Sequence, residues 1–264
     1  MYRNILACCK LGQKKLGVDL GSRELARNLN LTDNHILEMK SYNDYFKLYN
    51  FNKALLKKKI IPLNIGGDHS IAFSTVSASL KEYQQNLAVI WIDAHMDINT
   101  PKSSPSGNIH GMPLSQICGN SLIFKFDNKN VLNYNNLLYI GIRDIDPYEE
   151  ELLFECNIKY INVNQINNFD KNIIDEINSF IKHKYIHLSV DVDAFDPTLI
   201  SNTGTPVNNG IDIYQFIKLY KQTNIKNKLV NLDFVEFNPL INNNPYKLSK
   251  EYQLINQLFY NLII

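Results

Sequence analysis

Three apolar runs in this chain end abruptly in clusters of aspartate and histidine, and this punctuation constrains the fold more than any other feature. Residues 60–65 lead into Gly66-Gly67-Asp68-His69-Ser70, and residues 87–92 into Asp93-Ala94-His95-Met96-Asp97. Residues 185–190 lead into Asp191-Val192-Asp193-Ala194-Phe195-Asp196-Pro197. Similar short runs lie at 5–8 and 137–142, with a slightly more polar one at 229–235. Runs of this length, β-branched and aromatic and separated by segments of helical period, read as buried strands of a mostly parallel sheet. Helices are expected at 22–29, 42–59, 70–83, 147–154, 171–183, 211–223 and 248–263. The alternation predicts an α/β fold, a three-layer sandwich around the sheet.

The chain has 264 residues, 45% of them hydrophobic, enough for one sizeable core. No repeat or Pro/Gly/Ser linker divides it, so residues 1–264 read as a single domain. The asparagine-rich stretches 125–136 and 162–172 read as solvated connections or helix faces. Lys and Arg number 27 against 26 Asp and Glu, a formal charge of +1. That balance argues against nucleic acid or an anionic membrane surface as partner. No apolar run approaches the ~18 residues of a membrane span, and the first, at 5–9, is too short for a signal peptide. A cytoplasmic location is expected. Cys8 and Cys9 are adjacent, Cys118 and Cys156 stand alone, and no C-x-x-C spacing occurs, so neither a disulfide framework nor a thiolate metal site is expected.

All three clusters fall at the carboxyl ends of expected strands, where open parallel sheets place their ligands. In an extended chain, residues two apart share a face, so Asp93, His95 and Asp97 should point together, as should Asp191 and Asp193. His69 adds a third strand end. A lone D-x-D reads as a cap or turn. Several carboxylates packed together repel one another and stay ionised only beside a counter-charge. Four carboxylates and two imidazoles suit two first-row divalent ions, roughly 3.5 to 4 Å apart, bridged by shared carboxylates and a water. The oxygen-rich shell favours Mn²⁺, two per chain, over Zn²⁺, Fe²⁺ or Co²⁺, and the imidazoles argue against Mg²⁺ and Ca²⁺.

With these motifs the sequence resembles the ureohydrolases, and among them the arginases. The likeness runs from Leu11-Gly12-Gln13 and Gly17-Val18-Asp19-Leu20-Gly21 to Val235-Glu236-Phe237-Asn238-Pro239. Its most specific part is Asp97-Ile98-Asn99-Thr100-Pro101 with Ser106-Gly107-Asn108-Ile109-His110-Gly111, similar to the loop that grips the amino-acid end of arginine. The resemblance implies that His69, Asp93, Asp97 and Asp191 serve one metal and Asp93, His95, Asp191 and Asp193 the other. It implies hydrolysis of L-arginine to L-ornithine and urea, with a metal-activated water attacking the guanidinium carbon. Asp97 would pass a proton to the leaving amine, and His110 would shuttle protons.

For substrate binding the resemblance implies Glu236 at the guanidinium, Asn99 and Ser106 at the α-carboxylate, and Asp146 at the α-ammonium. Glu149 would act there through water, and Thr205 would sit near the metal shell. Asp146, before Pro147, also reads as a helix cap. Ala194 stands where many relatives have Gly, a tolerable change if the backbone needs no positive φ. A homo-oligomer, trimer or hexamer, is implied, although Tyr214-Gln215 replaces a polar pair usual at the family's subunit contacts. The alternatives are a ureohydrolase acting on agmatine, guanidinobutyrate or formiminoglutamate, or a catalytically silent metal-binding subunit. Agmatine lacks the α-carboxylate that Asn99 and Ser106 would meet.

Overall fold

The structure is a computed structural model and describes residues 1–263. Eight strands form one sheet: β1 (Tyr2–Cys8), β2 (His35–Glu38), β3 (Ile61–Gly66), β4 (Leu87–Ile92), β5 (Leu137–Ile140), β6 (Lys159–Ile161), β7 (Tyr185–Asp191) and β8 (Leu229–Val235). Their order is β2-β1-β3-β8-β7-β4-β5-β6, and every pairing is parallel. The six expected strands are all present. The edge strands β2 and β6 were not among the expected strands: they have four and three residues, with half-exposed positions and no apolar run.

The helices are α1 (Val18–Asn28), α2 (Asn43–Lys57), α3 (Ala72–Tyr83), α4 (Pro113–Ile117), α5 (Pro147–Glu155), α6 (Val163–Asn167), α7 (Asn172–Phe180), α8 (Ile213–Gln222), α9 (Ile225–Lys228) and α10 (Pro245–Ile263). α4 and α9 fall outside every expected helix, α10 begins at Pro245 rather than at 248, and three others also differ. α1 begins earlier, after Gly17 at φ +99°. α3 is preceded by a 3₁₀ turn, His69–Ile71. The asparagine-rich stretch at 162–172 holds α6, whose first turn is closed by Asn162 accepting from Gln165 N at 3.0 Å.

Side-chain alternation sorts the strands between two layers. Leu6, Ile65, Ile90, Leu138, Leu188 and Phe234 face α1, α7, α8 and α10. Ile5 and Ala7, with Val89, Trp91 and Tyr139, face the side of α2, α3 and α4. That second face also carries a buried polar network, which explains the polarity of the run that became β8. Asn64 donates to Asn231 Oδ1 and Asp233 Oδ1, both at 2.8 Å, and Asn231 donates to Ser79 Oγ at 3.0 Å. Ser79 bonds His187 Nδ1 at 2.9 Å, and His187 Nε2 meets Asp233 Oδ2 at 3.0 Å. The mutual bonding offsets the desolvation cost of each group. Complete burial denies Ser79, His187 and Asp233 any substrate, despite their relay-like order.

Gly67 fixes the first acidic turn against β1. Its N–H donates to Ala7 O at 2.9 Å, and Asp68 N donates to Cys9 O at 3.0 Å. A Cβ at Gly67 would collide with the Cys9 carbonyl oxygen, a backbone atom that cannot swing aside. Gly67→Ala should therefore destabilise the protein by about 2 kcal/mol or more. Urea unfolding should give a lower midpoint at unchanged slope, and a wild-type midpoint would refute this account of the turn.

Candidate active site

The strands that end in acidic clusters are neighbours, with β8 between β3 and β7 and β4 beside β7. Their carboxyl ends bring His69, Asp93, Asp97 and Asp191 together. His69 Nδ1 lies 3.0 Å from Asp93 Oδ2, 3.1 Å from Asp97 Oδ2 and 3.3 Å from Asp191 Oδ2. Beside this group, His95 Nδ1 lies 3.4 Å from Asp93 Oδ1 and 3.2 Å from Asp193 Oδ2. All six residues predicted as metal ligands therefore converge.

They converge by a different route from the one expected. β4 ends at Ile92, and residues 93–97 are bent rather than extended, with Asp97 at φ +52°. Asp191 is the last residue of β7, and Asp193 rides on the 3₁₀ turn Val192–Ala194. Alternation along a strand does not aim these side chains; backbone N–H groups do. His95 N donates to Asp93 Oδ1 at 2.7 Å, Ala94 N to Asp193 Oδ1 at 3.2 Å, and Asp193 N to Asp191 Oδ1 at 2.8 Å. Each bond occupies one carboxylate oxygen and turns the other inward. Ala194 has no positive φ, so its methyl group brings no backbone strain.

The imidazole of His69 is fixed from two sides. It stacks on the indole of Trp91 at 4.0 Å between centroids and 5° between planes, and its Nε2 bonds Ser189 Oγ at 2.8 Å. The Nδ1 lone pair therefore faces the carboxylates. Both His69 Nδ1 and Asp93 Oδ2 are buried without a hydrogen-bond partner, since the close approach lacks hydrogen-bond geometry. Burial and the neighbouring Asp93 push the Asp97 carboxyl up to about 6. Burial with Asp193 and Asp93 alongside raises Asp191 well above the usual carboxylate range. Orphaned atoms aimed at one another, and carboxylates that resist ionising together, are what a donor set built around cations presents when only its own charges act. The residues fit a divalent metal pair.

A cavity of about 270 Å³ opens above this cluster, lined by His95, Asp97, Asn99, Ser106, His110, Asp144, Asp146, Glu149 and Thr205, among others. Asn99 Nδ2 donates to Asp146 Oδ2 at 2.7 Å. Asp146 stands at the N-cap of α5, before Pro147, so it is a helix-start residue and a cavity residue at once. Glu149 accepts from Ile98 N at 3.0 Å and from Asp146 N at 3.2 Å, and burial pushes its carboxyl up to about 7. Ser106 Oγ accepts from Asn108 N at 3.2 Å, and Thr205 Oγ1 donates to Asp193 Oδ2 at 2.9 Å.

Glu236 lies apart from these. It sits just past β8 at φ +68°, fully buried and behind the cavity wall. One oxygen accepts from His69 N at 2.8 Å and pairs with His110 Nδ1 at 3.0 Å; the other accepts from Gln13 Nε2 at 2.7 Å. Positive φ at Asp97 and at Glu236 costs roughly 1–3 kcal/mol each, a strain that collects at functional positions.

Three residues escaped the sequence reading. Asp144 Oδ2 lies 3.5 Å from His95 Nε2, one residue before Ile145 in the Arg143-Asp144-Ile145-Asp146 run from which only Asp146 was selected. Ser189 and Trp91 each sit two residues before a cluster aspartate, a spacing that could have revealed both. Cys8 and Cys9 are buried, Cys118 and Cys156 half-buried, and all four are free.

With this geometry in place, comparison with known proteins is informative. Residues 4–263 match a family described as the arginase family. The chain belongs to the arginase family. An arginase from Staphylococcus aureus (strain COL) is 35% identical, aligned over 94% of this chain and 93% of its own. The crystal structure of arginase from Bacillus cereus superposes with a TM-score of 0.84 at 27% identity, covering 98% of this chain and 97% of the other. The Entamoeba histolytica arginase, solved in complex with L-ornithine, gives 0.80 at 30% identity, with 98% of both chains covered. These arginase structures share the fold expected from the alternating strands and helices.

The pair of half-buried His110 and buried Glu236 ties this family site to pH. Burial opposes charge on His110, but the hydrogen bond and the charge of Glu236 prevail and push its imidazole up to about 9. An unfolded histidine titrates near ~6.5, so the stabilisation is complete below that pH and is lost as pH rises to about 9. In metal-free protein, His110→Asn should cost up to about 3 kcal/mol at pH ~6 and much less at pH ~9.5. Thermal unfolding of both proteins across that range measures the gap, and a gap independent of pH would show that the imidazole carries no charge.

Proposed function

We propose that this protein is an arginase, a hydrolase that cleaves the guanidinium group of L-arginine with water to give L-ornithine and urea. The observation that carries the reading is the buried meeting of His69 Nδ1 and Asp93 Oδ2, unpartnered, with Asp97, Asp191, His95 and Asp193. His69, Asp93, Asp97 and Asp191 would hold one Mn²⁺, and Asp93, His95, Asp191 and Asp193 a second. When bound, the pair supplies Lewis acidity that makes water a nucleophile near neutral pH.

The chain's own groups do the rest. Asp97 faces both the metal ligands and the cavity, so it can hand a proton to the departing amine. His110, held charged by Glu236, carries protons between the site and solvent. Glu236 Oε2 accepts, among the described residues, only from Gln13, which leaves it an acceptor position for the guanidinium while Oε1 keeps His110. Asn99 and Ser106 receive the α-carboxylate, and Asp146 the α-ammonium, with Glu149 bracing Asp146 from below. Thr205 steadies Asp193. The family likeness supports a homo-oligomer, trimer or hexamer, and a cytoplasmic location is part of the same reading. Among the described residues, no helix is long and apolar enough to cross a membrane.

Asp93→Ala should lose both metal ions together with activity, because this carboxylate would reach both positions. Elemental analysis that finds two ions retained would contradict the bridging role. Urea release from arginine and agmatine, assayed side by side with and without Mn²⁺, tests the activity. Arginine should be preferred, and Asn99→Ala with Ser106→Ala should narrow the preference, since a charge-assisted contact contributes roughly 1.5 to 3 kcal/mol. Agmatine never uses those contacts. A wild-type preference for agmatine, or a ratio of kcat/KM unmoved by the double substitution, would assign the site to another ureohydrolase activity.

A further inference from the structure

Arg143 has an unusual environment. It follows β5 by way of Gly141, whose φ of +96° turns the chain beneath the cavity. Every N–H group of its guanidinium is directed at a backbone carbonyl. Nε donates to Asn208 O at 3.1 Å, one terminal nitrogen to Gly141 O at 3.0 Å and Ala194 O at 3.1 Å, and the other to Asp193 O at 2.8 Å and Val207 O at 2.7 Å. Among the described residues it forms no ion pair, although Asp93, Asp191 and Asp193 are near enough to favour its charge. A fork with five donors thus joins three segments: the β5 turn, the turn that bears Asp193, and the loop after Thr205.

These three segments form one half of the metal site. Thr205 donates to Asp193 Oδ2, Asp193 lies 3.2 Å from His95, and His95 is the half-exposed member of the cluster. The other half is held differently. His69 is packed against Trp91 and bonded to Ser189, and Asp93 and Asp97 are buried at the end of β4. Arg143 meets that half only through its backbone N–H, which donates to Ala94 O at 2.8 Å; none of its guanidinium bonds goes there.

We propose that Arg143 is the positioning residue for the His95–Asp193 metal position: by clamping the backbone under Asp193 and the loop after Thr205, its guanidinium fixes the one carboxylate that serves that ion alone, while the His69–Asp97 position keeps its own supports, Trp91 and Ser189. The inference rests on the two-metal reading above. A lysine would keep the charge but not the planar fork, so geometry and charge are separable.

The test uses full-length protein, wild type, Arg143→Lys and Arg143→Ala, titrated with Mn²⁺ alone. Elemental analysis counts the ions. Electron paramagnetic resonance distinguishes an exchange-coupled pair from an isolated Mn²⁺. Emission from Trp91, the sole tryptophan, reports the position it stacks against. Wild type should bind two ions. Both variants should keep the Trp91 response at wild-type Mn²⁺ concentrations, lose the coupled spectrum, and bind the second ion ~10 to 100-fold more weakly, as for other supports behind a metal ligand. Two ions at wild-type affinity in either variant would overturn the proposal, as would joint loss of both ions with the Trp91 response. Should Arg143→Ala not fold, Arg143→Lys carries the same outcomes. Failure of wild type to bind a pair of ions would instead refute the two-metal reading itself.

Discussion

Four carboxylates buried within a few ångströms of one another cannot all be ionised unless positive charge stands among them, and the architecture of this protein is organised around that repulsion. Two imidazoles answer part of it. His95 and His69 draw Asp93 below the usual carboxylate range even though burial works in the opposite sense, while Asp97 and Asp191 are pushed up. The protein tolerates the arrangement because Asp93, Asp191 and Asp193 each have an oxygen bonded to a backbone N–H or a hydroxyl, which fixes the side chain before any cation arrives. Preorganisation of this kind lowers the cost of ordering the ligands at the moment of binding.

The parallel sheet supplies the place. Because every strand runs the same way, all carboxyl ends open on one edge, and the insertion of β8 and β7 between β3 and β4 brings distant parts of the chain to that edge. The final approach is made by bends. Asp97 and Glu236 both occupy the left-handed region that favours glycine, and their strain is maintained by bonds across the site, including Glu236 N to Gly67 O at 2.8 Å. Strand packing sets the site to within a few ångströms, and strained turns set the rest.

The sequence announced what packing and chemistry repeat, and concealed what tertiary context decides. Buried central strands were legible because apolar residues dominate them on both faces; β2 and β6, at the edges, are short and half-exposed and carry no such mark. The six clustered Asp and His residues were legible from composition at strand ends, although the reasoning from alternation was wrong: residues 93–97 are bent, and hydrogen bonds do the aiming. The roles drawn for the cavity residues came from the family likeness. The structure adds what a motif does not carry, that Glu236 is buried behind His110 and that Asn99 is already bonded to Asp146. Asp144 has no spacing of its own to mark it, whereas Ser189 and Trp91 stand two residues before cluster aspartates, and the bond from Gln13 to Glu236 joins positions too far apart in sequence to be read as a pair.

The two halves of the cluster also face opposite demands. The half around His69 lies in the core, where stacking on Trp91 and a hydrogen bond to Ser189 hold it. The half around His95 borders the cavity and must stay open to whatever enters, so apolar packing cannot be used there without closing the entrance. Rigidity on that side has to come from polar contacts that tolerate water, and a guanidinium that saturates five carbonyls is well suited to the task, because its donors lie in one plane and its charge offsets the acids above. The same cation reduces the repulsion among Asp93, Asp191 and Asp193 in the absence of metal. Arg143 thereby does at the open side, by hydrogen bonding and charge, what Trp91 does at the closed side by packing.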